Sequence, residues 1–167
     1  QGISRAHSLV GLHFIPPVPS VQIVELTQGE ETSSEALEIA KKFAAKLGKT
    51  IFCLDESPGL VNPRAMLALI NEAAYMVDEG VAPPHTVESI IKGAWSMAQG
   101  PLEMADRMGL DLILHWLEQL SQELGSRYSP CPIIRRLVRQ GKLGVKTGEG
   151  FLVYKTDGYV QDGSEEE

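Results

Sequence analysis

The chain has 167 residues, 43% of them hydrophobic, and 15 Lys+Arg against 22 Asp+Glu give a formal net charge of −7. That length supports the core of one ordinary domain with a smaller companion, and the acidic balance leaves no basic surplus for nucleic-acid phosphates or an anionic membrane surface. No apolar run approaches the roughly 20 residues of a spanning helix. The two cysteines, Cys53 and Cys131, match no metal-ligand spacing and fit a reducing, cytoplasmic setting better than a disulfide framework. The chain opens Gln1-Gly2-Ile3, with neither a methionine nor a signal-like apolar stretch, and reads as cut from something longer.

The first quarter reads as strand, strand, helix, strand. Ser8 to Phe14 is a short apolar run that must stop at Pro16, Pro17 and Pro19, because proline cannot donate to a ladder. Val21 to Leu26 is rich in β-branched residues and predicts a second strand. Thr32-Ser33-Ser34-Glu35 has the spacing of a capping box. The helix after it places Leu37, Ala40, Phe43, Ala44 and Leu47 on one buried face and stops at Gly48. Thr50 to Leu54 then reads as another buried strand, with Cys53 as an inert buried thiol.

From Asp55 the pattern becomes helical. Asn62-Pro63 predicts a helix start, with Asn62 as N-cap and Pro63 at the first helical position. Met66, Leu67, Ile70, Ala73, Ala74 and Val77 form its apolar stripe up to Gly80. Pro83-Pro84 open a second helix carrying Val87, Ile90, Ile91 and Ala94. A short helix follows Pro101 and ends at Gly109, and a fourth carries Ile113, Trp116, Leu117, Leu120 and Leu124 up to Gly125, with Asp111 as a candidate cap. Pro132 to Arg139 make a fifth, with Ile133, Ile134, Leu137 and Val138 inside and Arg135, Arg136 and Arg139 on a solvated face. Gly141 to Tyr154 is rich in glycine turns and strand-like at Phe151 to Tyr154, and residues 156–167 read as a mobile acidic tail.

Few of these residues form a chemical constellation. His13 stands where a strand runs into a proline-rich turn, and Glu25 is the single charge of its strand. A carboxylate bonded to one ring nitrogen fixes the tautomer and favours the protonated ring, an arrangement suited to a general base. The bland reading is a structural histidine beside an edge-strand glutamate. Asn62 and Asn71 are polar candidates whose alternatives are capping and packing. His7, His85 and His115 have no companions at metal-ligand spacing, so no metal site is expected. The glycines of 141–148 lack the register of a phosphate loop, and the Gly-x-Gly-x-x-Gly fingerprint of dinucleotide binding occurs nowhere in the chain.

Gly11-Leu12-His13-Phe14, Pro17-Val18-Pro19 and Val24-Glu25 together resemble the signature of the 3-hydroxyacyl-CoA dehydrogenase family, of the 3-hydroxybutyryl-CoA type. The resemblance runs on through Leu47-Gly48-Lys49, Pro58-Gly59-Leu60-Val61, Arg64, Asn71-Glu72-Ala73, Gly100-Pro101, Asp106, Tyr128-Ser129-Pro130 and Gly141-Lys142-Leu143-Gly144 to Gly150-Phe151. It implies a mainly α chain: a helical C-terminal dehydrogenase domain preceded by the last strands and helix of a Rossmann-type α/β sheet. Residues 1–56 would be the remnant of the NAD-binding domain and 57–155 the helical domain for substrate binding and dimerisation. It also implies NAD-dependent oxidation of an L-3-hydroxyacyl-CoA to the 3-ketoacyl-CoA in fatty acid metabolism. The residue matching His13 would take the hydroxyl proton, Glu25 would hold the imidazole, and a homodimer would form through the helices.

Two positions depart from the family's pattern. The asparagine usual three residues after the histidine is Pro16, and the asparagine expected just before Arg64 is Pro63, with Asn62 displaced by one. One residue at a helix start turns a side chain by roughly 100°, so Asn62 is carried over as the candidate that reaches the same space. With the glycine fingerprint missing, the chain by itself is expected to bind NAD weakly and to be inactive. Two other readings stay open: a related dehydrogenase of a gulonate-type hydroxy acid, and a non-catalytic helical dimerisation module.

Overall fold

The computed structural model describes residues 4–155 and Val160. The chain divides into two compact units, Gln1–Pro63 and Arg64–Glu167.

In the first unit, β1 (Val10–Phe14) pairs antiparallel with β2 (Ile23–Gln28), and β2 pairs parallel with β3 (Thr50–Leu54), so the sheet order is β1-β2-β3. Helix α1 (Ser34–Lys46) makes the crossover that a parallel pair requires. β2 is the middle strand, and its successive residues Val24, Glu25 and Leu26 are all buried, so both of its faces are covered. Lys49 donates to the carbonyls of Val18 and Val21, the latter at 2.6 Å, and pins the proline-rich connection that follows β1.

Several expectations shift here for local reasons. Ser8 does not join β1, because its N–H closes a 3-10 turn (Ala6–Ser8) on the Arg5 carbonyl at 2.9 Å. β2 begins at Ile23 rather than Val21, since Ser20 and Val21 both donate to the Pro17 carbonyl and are still in the turn. The capping box does not form in the expected register. Ser33 caps α1 by accepting from Ala36 N–H at 3.2 Å, while Thr32 is spent on Gly29 N–H and the Leu9 carbonyl. The helix end matches the reading: Gly48, with φ of +69°, lets Lys49 N–H reach the Ala44 carbonyl at 3.0 Å in a Schellman turn. Along α1, Ala40 and Ala44 are buried, but Phe43 is 50% exposed and Leu47 is exposed too, because the apolar stripe is wider than the three strands it lies on. β3, expected to be buried, is an edge strand with Thr50, Phe52 and Cys53 exposed. Cys53 is therefore an accessible thiol, and Cys131 is the buried one.

The second unit is helical. It contains all but the first two residues of α2 (Asn62–Asp78), then α3 (Pro84–Ala94), α4 (Pro101–Met108), α5 (Leu110–Leu124) and α6 (Pro132–Arg139). Leu67, Ile70, Leu102, Leu110, Ile113, Leu117 and Ile134 are fully buried at its centre. Together with α1 these make six helices against three strands among the described residues, and the chain is mainly α. Gly80 ends α2 as expected, with Val81 N–H on the Met76 carbonyl at 2.9 Å. Ile90 faces outward, whereas Glu88, on no predicted core face, is buried. Asp111 lies inside α5 behind the N-cap Gly109 and pairs with Lys146 instead of capping. Of the apolar residues assigned to α6, Ile134 alone is fully buried. Phe151 to Tyr154 do not form a strand: Val153 and Tyr154 make isolated bridges, while the N–H groups of Phe151 and Leu152 are taken by the Asp106 carboxylate. The expected mobile tail 156–167 lies outside the described residues, except for Val160, which bridges to Tyr154.

Candidate active site

The antiparallel register of β1 and β2 sets His13 directly opposite Glu25, so the two side chains project from the same face of the pair. His13 Nδ1 and Glu25 Oε2 are 2.7 Å apart. The partners differ in access: the His13 side chain is 34% exposed, while Glu25 is only 4% exposed. A buried carboxylate needs partners for both of its oxygens. Glu25 Oε1 finds them in two successive backbone donors, Val61 N–H at 3.1 Å and Asn62 N–H at 2.9 Å. These donors lie where α2 begins. With Glu25 accepting on both oxygens, Nδ1 of His13 is the donor, and in the neutral ring Nε2 carries the lone pair.

Three of the sequence candidates thus meet, but Asn62 does so differently from expectation. The helix takes in Asn62 as its first residue, and the engaged atom is its backbone N–H. Nothing in a side-chain pattern signals a backbone donor. The readable hint was Ser57-Pro58-Gly59, whose composition demands a turn just before the helix.

The other candidates settle into structural roles. Asn71 is buried and holds the segment before α6, donating to the Ser129 carbonyl at 2.9 Å and accepting from Cys131 N–H at 2.9 Å. Arg135 pairs with Glu118 and Arg136 with Asp78 on an exposed face. The glycines of 141–148 are turns, with Gly141, Gly144 and Gly148 at positive φ. No group of His, Cys, Asp and Glu that could hold a metal exists among the described residues.

Glu88 and Asp106, two of the three buried carboxylates among the described residues of the second unit, were missed as a pattern. Glu88 accepts from Leu102 N–H at 2.8 Å and Glu103 N–H at 3.3 Å, and so holds the start of α4. Asp106, fully buried, accepts from Phe151 N–H at 3.0 Å, Leu152 N–H at 2.9 Å and the Tyr154 hydroxyl at 3.0 Å. Burial pushes the Asp106 carboxyl up to about 6 against the pull of those donors, and raises Glu88, Tyr154 and Cys131 as well. Glycine is required where the C-terminal loop meets Asp106: a Cβ on Gly144 would stand 2.1 Å from the Asp106 carbonyl oxygen, and one on Gly150 2.1 Å from its Oδ1.

Among the described residues, the connection from β2 into α1 does not fit the phosphates of a dinucleotide. The connection from β2 into α1 carries Glu30 and Glu31, and its Ser33 N–H is already bonded to the His7 carbonyl at 2.8 Å. Acidic side chains and occupied donors are the reverse of a phosphate-binding helix start.

Two family models match the chain: residues 59–154 match the 3-hydroxyacyl-CoA dehydrogenase C-terminal domain, and residues 1–57 the NAD binding domain of the same enzymes. A probable 3-hydroxybutyryl-CoA dehydrogenase of Deinococcus radiodurans is 42% identical over 90% of this chain and 54% of its own length. One from Bacillus subtilis is 41% identical over 91% of the chain and 53% of its own length. Among solved structures, the (S)-3-hydroxybutyryl-CoA dehydrogenase PaaH1 from Ralstonia eutropha superposes with a TM-score of 0.87 at 37% identity, covering 92% of this chain and 54% of that one. The chain spans about half the length of the relatives it matches. No helix among the described residues is long and apolar enough to cross a membrane. With models of one enzyme family covering both units, the chain belongs to the 3-hydroxyacyl-CoA dehydrogenase family.

Proposed function

We propose that this chain supplies the proton-handling dyad and the helical domain of an NAD-dependent oxidoreductase that converts L-3-hydroxyacyl-CoA to 3-ketoacyl-CoA in fatty acid metabolism. Residues 1–56 would be the last part of its NAD-binding domain and 57–155 its helical domain. The observation that carries the reading is the 2.7 Å contact of His13 Nδ1 with a Glu25 carboxylate whose other oxygen is already held. Nε2 of His13 accepts the proton of the substrate hydroxyl, and Glu25 stabilises the imidazolium so formed. NAD, the cofactor of this family, would supply the hydride-accepting chemistry when bound by the rest of the enzyme. The role proposed for the chain's own side chains is the transfer of the proton. Asn62 contributes by holding Glu25 through its backbone rather than by touching substrate.

Exposed Val81, Ile90 and Trp95 on the helical unit support a homodimer formed through that unit, which sedimentation velocity would detect. The free thiols Cys53 and Cys131 are in keeping with a reducing, cytoplasmic compartment. The activity is tested by mixing the full-length protein carrying this chain with 3-hydroxybutyryl-CoA and NAD and following NADH absorbance. Turnover is expected, and turnover of a sugar acid but not of the thioester would refute the reading. The 167-residue chain alone is expected to reduce no acetoacetyl-CoA with NADH.

A further inference from the structure

The segment between β3 and α2 has an unusual backbone. Ser57-Pro58-Gly59-Leu60 closes a turn, with Leu60 N–H on the Ser57 carbonyl at 3.1 Å, proline in its second position and Gly59 in its third at φ +74°. That is the chemistry of a type II turn. The next residue, Leu60, also has a positive φ, +50°, a region a branched L-residue rarely enters without an imposed reason. The following N–H groups, of Val61 and Asn62, then converge on one oxygen of Glu25. Starting a helix requires no left-handed leucine, since an ordinary N-cap residue is extended. A change of backbone hand is one way to bring successive N–H groups onto a single anion, as in anion-binding nests, and the left-handed Gly59 and Leu60 stand immediately before the two donors.

We infer that Gly59 and Leu60 are positioning residues for His13: their left-handed turn aims two backbone donors at Glu25 and thereby fixes the carboxylate that holds the imidazole in its Nδ1–H form. The chain of contact is short. The turn sets Val61 and Asn62, these occupy Oε1, and the carboxylate can then offer Oε2 to Nδ1 in one orientation only. Without the two donors Glu25 can rotate, and the ring loses its fixed partner. The inference deepens the proposed role of His13 and rests on it for its catalytic consequence, though not for its structural one.

Two variants disrupt the turn. Gly59→Val places a β-branched residue at φ +74°, and Leu60→Val does the same at +50° with less strain. Gly59→Asn is the conservative control, because asparagine tolerates the left-handed region. Long-range 1H–15N spectra of the 167-residue chain report the His13 tautomer directly, with helix content checked by circular dichroism. Wild type and Gly59→Asn are expected to show a single Nδ1–H tautomer, and both valine variants a tautomer mixture. If Gly59→Val loses helix content, Leu60→Val decides. In the full-length protein the valine variants should lower kcat about tenfold or more, with KM changed less than about twofold. A single fixed tautomer in the valine variants would overturn the inference. Released tautomers with an unchanged kcat would instead leave the positioning standing and overturn the role of His13 as the base.

Discussion

Asp106 makes stability depend on pH in a direction opposite to that of most paired carboxylates. Its carboxyl is fully buried, accepts three donors, and is pushed up from 3.8 to about 6 because burial outweighs those hydrogen bonds. The folded state therefore holds the Asp106 proton more tightly than the unfolded chain does. Between about pH 4 and 6 the native state binds more protons than the unfolded one, so stability falls as pH rises through that window. A shift from 3.8 to about 6 corresponds to about 3 kcal/mol at about 1.4 kcal/mol per unit, present below about pH 4 and lost above about pH 6. The perturbation that isolates it is Asp106→Asn, which keeps the shape and removes the titration. Urea unfolding of both proteins, followed by circular dichroism from pH 4 to pH 7, gives the difference in stability at each pH, and the other carboxylates cancel. Wild type should lose about 2 kcal/mol relative to Asp106→Asn from pH 4 to pH 7, the rest of the effect falling below pH 4. A difference that stays flat, or that grows in favour of wild type with rising pH, would refute the reasoning.

Other outcomes follow from the same geometry. Gly144→Ala would press a methyl against the Asp106 carbonyl oxygen at 2.1 Å and strain a backbone at φ +99°, so the urea midpoint should report a loss of about 3 kcal/mol, whereas a loss below about 1 would show that the loop yields freely. Asn62→Ala retains the backbone N–H that holds Glu25, so kcat should stay within about threefold of wild type; a loss of a hundredfold would return the asparagine side chain to the chemistry. Cys53 is exposed and Cys131 buried, so a chromogenic disulfide reagent should titrate one thiol in the native chain and the second only on unfolding. Two thiols reacting at once would contradict the burial of Cys131, and none reacting would contradict the assignment of β3 as an exposed edge strand.

Helix boundaries were legible wherever a residue's own backbone chemistry sets them. Pro101 and Gly109 bracket α4, and Gly48, Gly80 and Gly125 sit at helix ends at positive φ. The misreadings share a cause: the deciding partner lies far away in sequence. Phe151 and Leu152 look like a strand until their N–H groups are seen to belong to an aspartate 45 and 46 residues earlier. Thr32 looks like a cap until its hydroxyl is found on the Leu9 carbonyl, 23 residues away. Periodicity picked out the apolar face of α1 correctly but carries no information on how much sheet lies beneath it, which is why Phe43 and Leu47 stand half-exposed. At the site, the cross-strand meeting of His13 with Glu25 was legible because each was the one ionisable group of its strand. The hold of Val61 and Asn62 on Glu25 was not, because backbone donors are the same in every sequence and only the turn before them leaves a trace.

The central claim is that His13 takes the substrate proton while Glu25, held by the start of α2, fixes its ring. It is tested most directly by a double-mutant cycle in the full-length protein, with kcat for 3-hydroxybutyryl-CoA oxidation measured for His13→Gln, Glu25→Gln and the double variant. Each single change should lower kcat about a hundredfold or more with little change in KM, and the double variant should be scarcely worse than His13→Gln alone. A His13→Gln enzyme that keeps more than about a third of the wild-type kcat would contradict the account.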